Sequence, residues 1–147
     1  MNRFRFRLES VLRVREIEED IKKREFGTVM RNLHREEQEL GKLGTSLRDH
    51  EQYMESHGEG RVFARDLQNN FNYARALDGK ILFQKKRVKE KKKVVDSKRS
   101  ELAESTKRKR ILERLKERYR EEHERAAAKE EQSTIDDITS VRYTWSE

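Results

Sequence analysis

Apolar residues recur at every seventh position over much of the chain, and this spacing constrains the fold more strongly than any other feature of the sequence. Six of them form one unbroken series in the second half of the chain: Leu67, Ala74, Ile81, Val88, Val95 and Leu102. A companion series runs beside it and is polar in its middle: Phe63, Asn70, Leu77, Gln84, Lys91, Lys98, Ser105, Leu112 and Tyr119. Sevenfold apolar spacing is typical of helices that pack along a narrow seam. The pattern predicts a long helix whose seam is weakest where the companion series is polar.

The first half of the chain carries a similar repeat with a change of phase. From residue 26 onward the series consists of Phe26, Leu33, Leu40, Leu47 and Met54. Upstream, two further sevenfold pairs, Phe4 with Val11 and Val14 with Ile21, are out of phase with that series by one inserted residue. An inserted residue locally relaxes the supercoil of packed helices. We therefore predict a first helix over about residues 4–56, with its phase change near residues 22–25.

Two glycines, Gly58 and Gly60, separate the two repeats. Glycine ends a helix at little cost because it lacks a Cβ atom. The sequence thus predicts a turn at 57–61, a second helix over about residues 62–130 and a C-terminal tail at 131–147.

A short turn between two long amphipathic helices favours an antiparallel hairpin. Pairing the helices outward from residue 59 places Phe4 and Phe6 opposite Leu112 and Leu115. An intermolecular coiled coil would share most of this pattern, so the spacing alone leaves both arrangements open.

The composition agrees with an elongated helical fold. Only 32% of the 147 residues are hydrophobic and 44% are charged, whereas a globular chain is about 45–50% apolar and about 25% charged. The absence of proline argues against disorder and leaves long helices uninterrupted. We expect an all-α fold, an elongated antiparallel two-helix coiled-coil hairpin that forms a single coiled-coil domain over residues 1–147.

Several functional classes are not expected from this sequence. No apolar run exceeds three residues and there is no cysteine, so we expect no membrane span, no disulfide and no thiolate metal ligand. His50 and His57 stand seven apart rather than at the spacing of a zinc-binding HExxH motif. A two-helix hairpin also lacks an enclosed pocket in which carboxylates could become catalytic. We expect no enzyme activity, no cofactor and no metal, in a cytoplasmic protein.

The net charge of +7 is unevenly distributed along the chain. Residues 9–60 carry 13 acidic and 9 basic side chains, whereas residues 80–99 carry 10 basic and 2 acidic ones. The basic stretch is either an anion-binding surface, for nucleic acid, acidic protein or lipid head groups, or a solvated face that answers the acidic first helix. The second interpretation is favoured. Nucleic acid is not expected, because no aromatic residues are interleaved between Lys85 and Arg99.

Three segments have the character of docking surfaces. In Phe4–Leu12 two phenylalanines alternate with arginines, a pattern that also suits a hydrophobic end cap on the coiled coil. After the turn, Leu77 fits the seam whereas Tyr73 and Phe83 do not, which suggests a second apolar face. The tail segment Ile135–Trp145 approximates a short amphipathic turn.

The two ends of the chain also carry motifs that are found together elsewhere. The opening reads Phe4-Arg5-Phe6-Arg7-Leu8-Glu9-Ser10-Val11-Leu12. The closing region contains the basic stretch 109–118, followed by Ile135-Asp136-Asp137-Ile138. These motifs resemble the opening and closing regions of the FliJ family of flagellar export proteins, and the likeness covers essentially the whole chain.

The resemblance implies a soluble, non-catalytic component of the flagellar type III protein export apparatus, a monomer when alone. Its implied partners are the hexameric export ATPase, the cytoplasmic domain of the export-gate membrane protein, and export chaperones. Its implied location is cytoplasmic and peripheral at the inner membrane. The end that faces the ATPase would contain Phe4, Phe6, Leu8, Leu112, Leu115, Ile135 and Ile138. The gate-facing patch would contain Tyr73 and Leu77. A self-associating coiled-coil scaffold, and less so a basic nucleic-acid-binding helix, are the alternatives that the residues alone leave open.

Overall fold

The computed structural model describes residues 2–57 and 64–146. Within them lie two helices, α1 over Glu9–His57 and α2 over Ala64–Trp145, and no strand. The contacts group the chain into two compact units, Lys22–Leu102 and Met1–Ile21 with Ala103–Glu147. Each unit contains a stretch of both helices, and the expectation of one domain over residues 1–147 stays a prediction.

In the unit Lys22–Leu102 the two helices pack through an apolar seam. Its buried core is formed by Leu33, Val88 and Val95, with Phe26, Val29 and Leu40 packed against it. Ion pairs at the edge of the seam link Glu36 with Arg87 and Glu25 with Lys98. As the residue number increases along α1, the number of its partner on α2 decreases, so the helices are antiparallel here. The buried residues of α2 follow the predicted sevenfold series, in agreement with the seam expected from the sequence.

In the unit made of the chain's two ends, the helices are antiparallel as well. Glu19 pairs with Lys109 at 3.0 Å, and Glu9 pairs with Lys116 at 2.9 Å. The protein is therefore an all-α two-helix hairpin, as the sequence predicts.

The predicted change of phase in the first helix is wrong. The buried or half-buried series runs without interruption through Leu12, Glu19, Phe26 and Leu33, so the seam keeps a constant sevenfold spacing. Val14 lies outside it, 51% exposed. The physical reason is that a buried, paired glutamate occupies a seam position that the sequence pattern assigns to an apolar residue.

The predicted pairing of the chain's ends is also wrong. Phe6 packs edge-on against Tyr119 and Phe4 packs against His123, whereas counting outward from residue 59 placed them opposite Leu112 and Leu115. Each residue by which the centre of a hairpin shifts moves the partner of a given side chain by two. The spacing of the repeats does not define that centre, and residues 58–63 lie outside the described part of the chain.

The helix ends differ from those expected. Helix α1 begins at Glu9 rather than near residue 4, and α2 continues to Trp145 through the segment predicted as a tail. No glycine or proline follows Gly79 in the sequence, so nothing breaks the helix there. Of the predicted turn at 57–61, only His57 is described, and it is the last residue of α1. The predicted start of the second helix at 62 also lies outside the described residues.

Candidate partner-binding surfaces

The residues that precede α1 are anchored on α2. Phe6 is buried, its ring centre 6.2 Å from that of Tyr119, and the ring of Phe4 lies 5.6 Å from that of His123. The backbone N–H of Glu9 donates to the carbonyl oxygen of Phe6 at 3.2 Å, which ties this segment to the first turn of the helix. The Phe–Arg opening thus forms an end cap on the helix pair, one of the two interpretations of its sequence.

Ion pairs hold the same end of the helix pair together. Glu19 is only 3% exposed, and the ammonium of Lys109 donates to its carboxylate at 3.0 Å. This hydrogen bond is the main reason that the pKa of Lys109 is raised. A buried carboxylate needs such a partner because burial without one is costly. The pair therefore fixes the register of α1 on α2 in this unit.

Helix α1 carries an exposed apolar surface that the sequence pattern did not identify. Its members are Val11, Val14, Ile17 and Ile21, and all of them are exposed. Their spacing of three and four residues places them on one side of the helix, which we call the α1 stripe. The sequence contained one signal for it: Leu12, Glu19 and Phe26 are sevenfold neighbours. Assigning the seam to that series would have left the four aliphatic residues outside it.

A second exposed apolar surface lies near the end of α2. It consists of Ile135, Ile138, Val141 and Trp145, each more than half exposed. Their spacing again places them on one side of the helix, and we call this surface the C-terminal stripe. An open groove reaches one end of it and is lined by Asn2, His123, Ala126 and Ile135, among others. The predicted amphipathic segment at 135–145 therefore exists, as regular helix.

The predicted ATPase-facing residues fall into two groups by exposure. Ile135 and Ile138 are open to solvent, whereas Phe6 is buried and Phe4, Leu8, Leu112 and Leu115 are half-buried. Only the first two are free to contact a partner with most of their surface. The others build the helix pair that carries them.

The two residues predicted to face the export gate also differ. Leu77 is 5% exposed and belongs to the seam of its unit, whereas Tyr73 is exposed. The ring of Tyr73 lies edge-on to that of His50, with centres 4.9 Å apart. Nε2 of His50 lies 3.1 Å from the carbonyl oxygen of Asn70 and donates to it, since a carbonyl can only accept. Tyr73 is thus held in place by a histidine that bridges the two helices.

A groove with apolar walls adjoins this contact, within the same unit. It is lined by His50, Met54, Leu67, Phe71 and Ala74, together with several polar residues. Leu67 and Phe71 are exposed, although the sequence placed Leu67 in the seam. The groove therefore extends the predicted patch toward the start of α2.

Neither a metal-binding cluster nor a membrane-spanning helix is found among residues 2–57 and 64–146. No three histidine, aspartate or glutamate side chains come together there in a group that could hold a metal ion. No helix in that part of the chain is both long and apolar enough to cross a membrane.

Comparison with known protein families identifies a family model that spans nearly the whole chain. The family model described as FliJ, Flagellar FliJ protein, matches residues 4–146, a span that includes both helices and both exposed stripes. No curated protein and no solved structure matches the chain.

Proposed function

Because the chain belongs to the FliJ family and is thus a flagellar export-associated protein, we propose that it is a non-catalytic component that binds the export ATPase ring and the export gate. The observation that carries this proposal is the family match over residues 4–146. In this role the protein promotes assembly of the ATPase ring, helps couple ATP hydrolysis to export and handles export chaperones. It acts as a soluble, cytoplasmic protein that is peripheral at the inner membrane.

The ATPase-binding surface of this proposal is the C-terminal stripe together with the α1 stripe. Both consist of exposed aliphatic side chains, and contiguous exposed apolar surface is characteristic of interaction sites. Both belong to the unit formed by the two ends of the chain. Phe4, Phe6, Leu8, Leu112 and Leu115 contribute by holding the two helices together beneath this surface.

Exposed charged side chains on this unit suit contact with an ATPase ring whose orientation relative to the helix pair changes. Pairs on this unit such as Arg118 with Glu122 and Arg120 with Glu124 are exposed. An exposed ion pair is worth only about 0–1 kcal/mol, so a ring could exchange such contacts without holding one orientation. This supports a stalk-like role, in which the helix pair enters the ring.

The gate-binding surface of this proposal is the groove beside Tyr73. Phe71 in its lining and the adjoining Tyr73 are exposed aromatic residues of the kind that interfaces favour, and Leu67 adds exposed apolar surface. Leu77 acts indirectly, because its burial in the seam keeps the two walls of the groove in position.

The proposal is tested with the purified export ATPase from the same organism. We expect the wild-type protein to co-elute with the ATPase on gel filtration, to increase its oligomeric state and to stimulate its turnover. The double variant Ile135→Asp, Ile138→Asp should bind about tenfold more weakly, because two exposed apolar contacts would be lost. The variant Trp145→Ala should keep its helicity and bind more weakly as well.

The matched control is Leu82→Asp, which changes an equally exposed aliphatic residue of α2 in the other unit. It should bind the ATPase as the wild type does. ATPase turnover and oligomeric state that ignore the wild-type protein would refute the proposed role. If the double variant Ile135→Asp, Ile138→Asp and the variant Trp145→Ala both stimulate the ATPase as the wild type does, the C-terminal stripe is excluded as the docking surface.

A further inference from the structure

Five lysines of α2 lie on one exposed face of the helix. They are Lys85, Lys86, Lys89, Lys92 and Lys93, and all five are exposed. Their spacing of one, three and four residues gathers them on a single side, about 130° around the helix from the seam residues of the same stretch at 3.6 residues per turn. We call this face the lysine stripe. It occupies roughly 12 Å of helix length at 1.5 Å per residue.

The acidic first helix does not account for the lysine stripe. The acidic residues of α1 that form ion pairs with α2 in this unit pair with other cations: Glu36 with Arg87, and Glu25 with Lys98. None of the five stripe lysines forms an ion pair with any residue in the described part of the chain. These five lysines are solvated, as the favoured interpretation of the basic stretch expects, but within the described residues the cations that answer the acidic helix are Arg87 and Lys98.

The stripe also opposes the stability of its own helix. Lys85 with Lys89 and Lys89 with Lys93 are like charges four residues apart, an arrangement that destabilises an isolated helix. In the described part of the chain the nearby acidic residues form no ion pair with the stripe: Glu90, four residues after Lys86 and three before Lys93, pairs with neither, and Asp96 is paired with Arg99 at 3.5 Å. A fixed array of unpaired positive charge is the feature of a surface that meets an anionic partner.

We propose that the lysine stripe binds the surface of an anionic lipid membrane. The stripe consists of lysines alone, which act as hydrated point charges, whereas sites that grip individual phosphates or carboxylates favour the bidentate arginine. No aromatic residue lies between the lysines of the stripe for a nucleic-acid base to stack on, and the exposed Phe83 precedes them. Clusters of four to eight basic residues on a helix are typical of attraction to anionic lipids.

Leu82 strengthens this assignment. It is 60% exposed and lies one turn before Lys85 and Lys86 on the same side of α2. An apolar side chain beside a basic cluster can enter the boundary between head groups and acyl chains while the lysines remain in the head-group layer. Each lysine should contribute roughly fivefold to membrane partitioning, so replacing three of them should cost on the order of 100-fold.

The experiment is co-sedimentation of the full-length protein with vesicles at low ionic strength. One set of vesicles is an equal mixture of phosphatidylglycerol and phosphatidylcholine, and the other is phosphatidylcholine alone. We expect binding to the anionic vesicles only, and its loss in salt as the Debye length falls from about 10 Å at 0.1 M to about 3 Å at 1 M. The triple variant Lys85→Gln, Lys89→Gln, Lys92→Gln should lose binding on the order of 100-fold.

The matched control removes the same charge elsewhere on α2, through Lys107→Gln, Arg110→Gln and Lys129→Gln. These three residues are exposed, and we expect the control to lose less than about fivefold. Circular dichroism checks that both variants keep the wild-type helicity. Equal losses in the two variants, binding to neutral vesicles, or no binding at all would overturn the proposal.

Two other anionic partners are measured alongside, at the same ionic strength. The probes are an oligonucleotide duplex and an acidic polypeptide such as polyglutamate. The membrane proposal would also be overturned if either probe bound through the lysine stripe more tightly than the anionic vesicles do. The inference does not rest on the proposed export function. Stimulation of the export ATPase is measured without vesicles, so either proposal can fail while the other stands.

Discussion

Leu33 and Leu82 are identical side chains that differ in how deeply they are buried. Leu33 is 8% exposed and packs into the core with Val88 and Val95, whereas Leu82 is 60% exposed. Leu33→Ala should lower the free energy of unfolding by about 2–3 kcal/mol, near the low end for a buried leucine because a two-helix seam can partly collapse. Leu82→Ala should change it by less than about 0.5 kcal/mol. Thermal unfolding followed by circular dichroism checks both, and equal losses would contradict the observed seam.

Ser105 is a buried residue that works against stability. Its hydroxyl oxygen is buried and has no hydrogen-bond partner among the described residues. Ser105→Ala removes the unpaired group and raises helix propensity, so it should stabilise the protein by about 1 kcal/mol. Ser100→Ala, at an exposed position of the same helix, provides the control and should gain only the smaller propensity contribution. A lower unfolding midpoint for Ser105→Ala would mean that its hydroxyl has a partner in solution.

At the scale of the helices, one cluster of four charges joins α1 to α2 in the unit Lys22–Leu102. Lys22 and Lys98 each contact Glu25 and Glu101, at distances of 3.3–3.4 Å. Hydrogen bonds from Lys98 and then Lys22 lower the pKa of both carboxylates, and the same bonds raise the pKa of both lysines. The cluster thus links neighbouring turns of the two helices through alternating charge.

These shifts define a pH window for stability. A lowered glutamate pKa contributes stability above its ordinary value of 4.5 that is lost as the pH falls through the folded-state pKa. A raised lysine pKa contributes stability below its ordinary value of 10.5 that is lost as the pH rises through the folded-state pKa. The unfolding midpoint should therefore be constant near neutral pH and should fall in acid below about pH 4.5.

The contribution of this cluster is isolated with the double variant Glu25→Gln, Glu101→Gln. Its unfolding midpoint should decline less steeply in acid than that of the wild type, because two titrating groups have been removed. High salt should reduce the difference at neutral pH, since the four side chains are partly exposed. Identical acid profiles for variant and wild type would show that other carboxylates set the acid limit.

At the scale of the whole molecule, the chain supplies both sides of its own seam. In each of the two units, residues of α1 contact residues of α2, through the core around Leu33 and Val88 in one and the pair of Glu19 with Lys109 in the other. We therefore expect a mass of 17.8 kDa in sedimentation equilibrium, the mass of one chain. A stable dimer would favour the self-associating scaffold instead. In that case the mass of the Ile138→Asp variant should be measured in the same way, because a return to the monomer mass would locate the dimer contact at the C-terminal stripe.

Much of the fold could be predicted because its signal is repeated. The series Ala74, Ile81, Val88 and Val95 places the seam of α2 correctly, since apolar residues at sevenfold spacing stay on the narrow face that a long helix buries against its partner. The exposure of Tyr73 and Phe83 follows from the same spacing. The end of α2 differs from the prediction: the polar composition of residues 131–147 predicts a tail, but no proline or glycine interrupts the chain there and the helix continues to Trp145.

What the sequence alone determined is the helical class, through a pattern repeated along the chain, and the family, through motifs at its two ends. The spacing favoured an antiparallel hairpin but left an intermolecular coiled coil open, and the contacts between α1 and α2 decided for the hairpin. The tertiary structure decided which residues of those patterns are used. Glu19 occupies a seam position, where Lys109, ninety positions later, pairs with it, and the α1 stripe lies outside that seam. Likewise, ten basic residues crowd positions 80–99, yet the partners of Arg87 and Lys98 lie on the other helix. A charge acquires its role from the group that it faces, and residues distant in sequence supply that group.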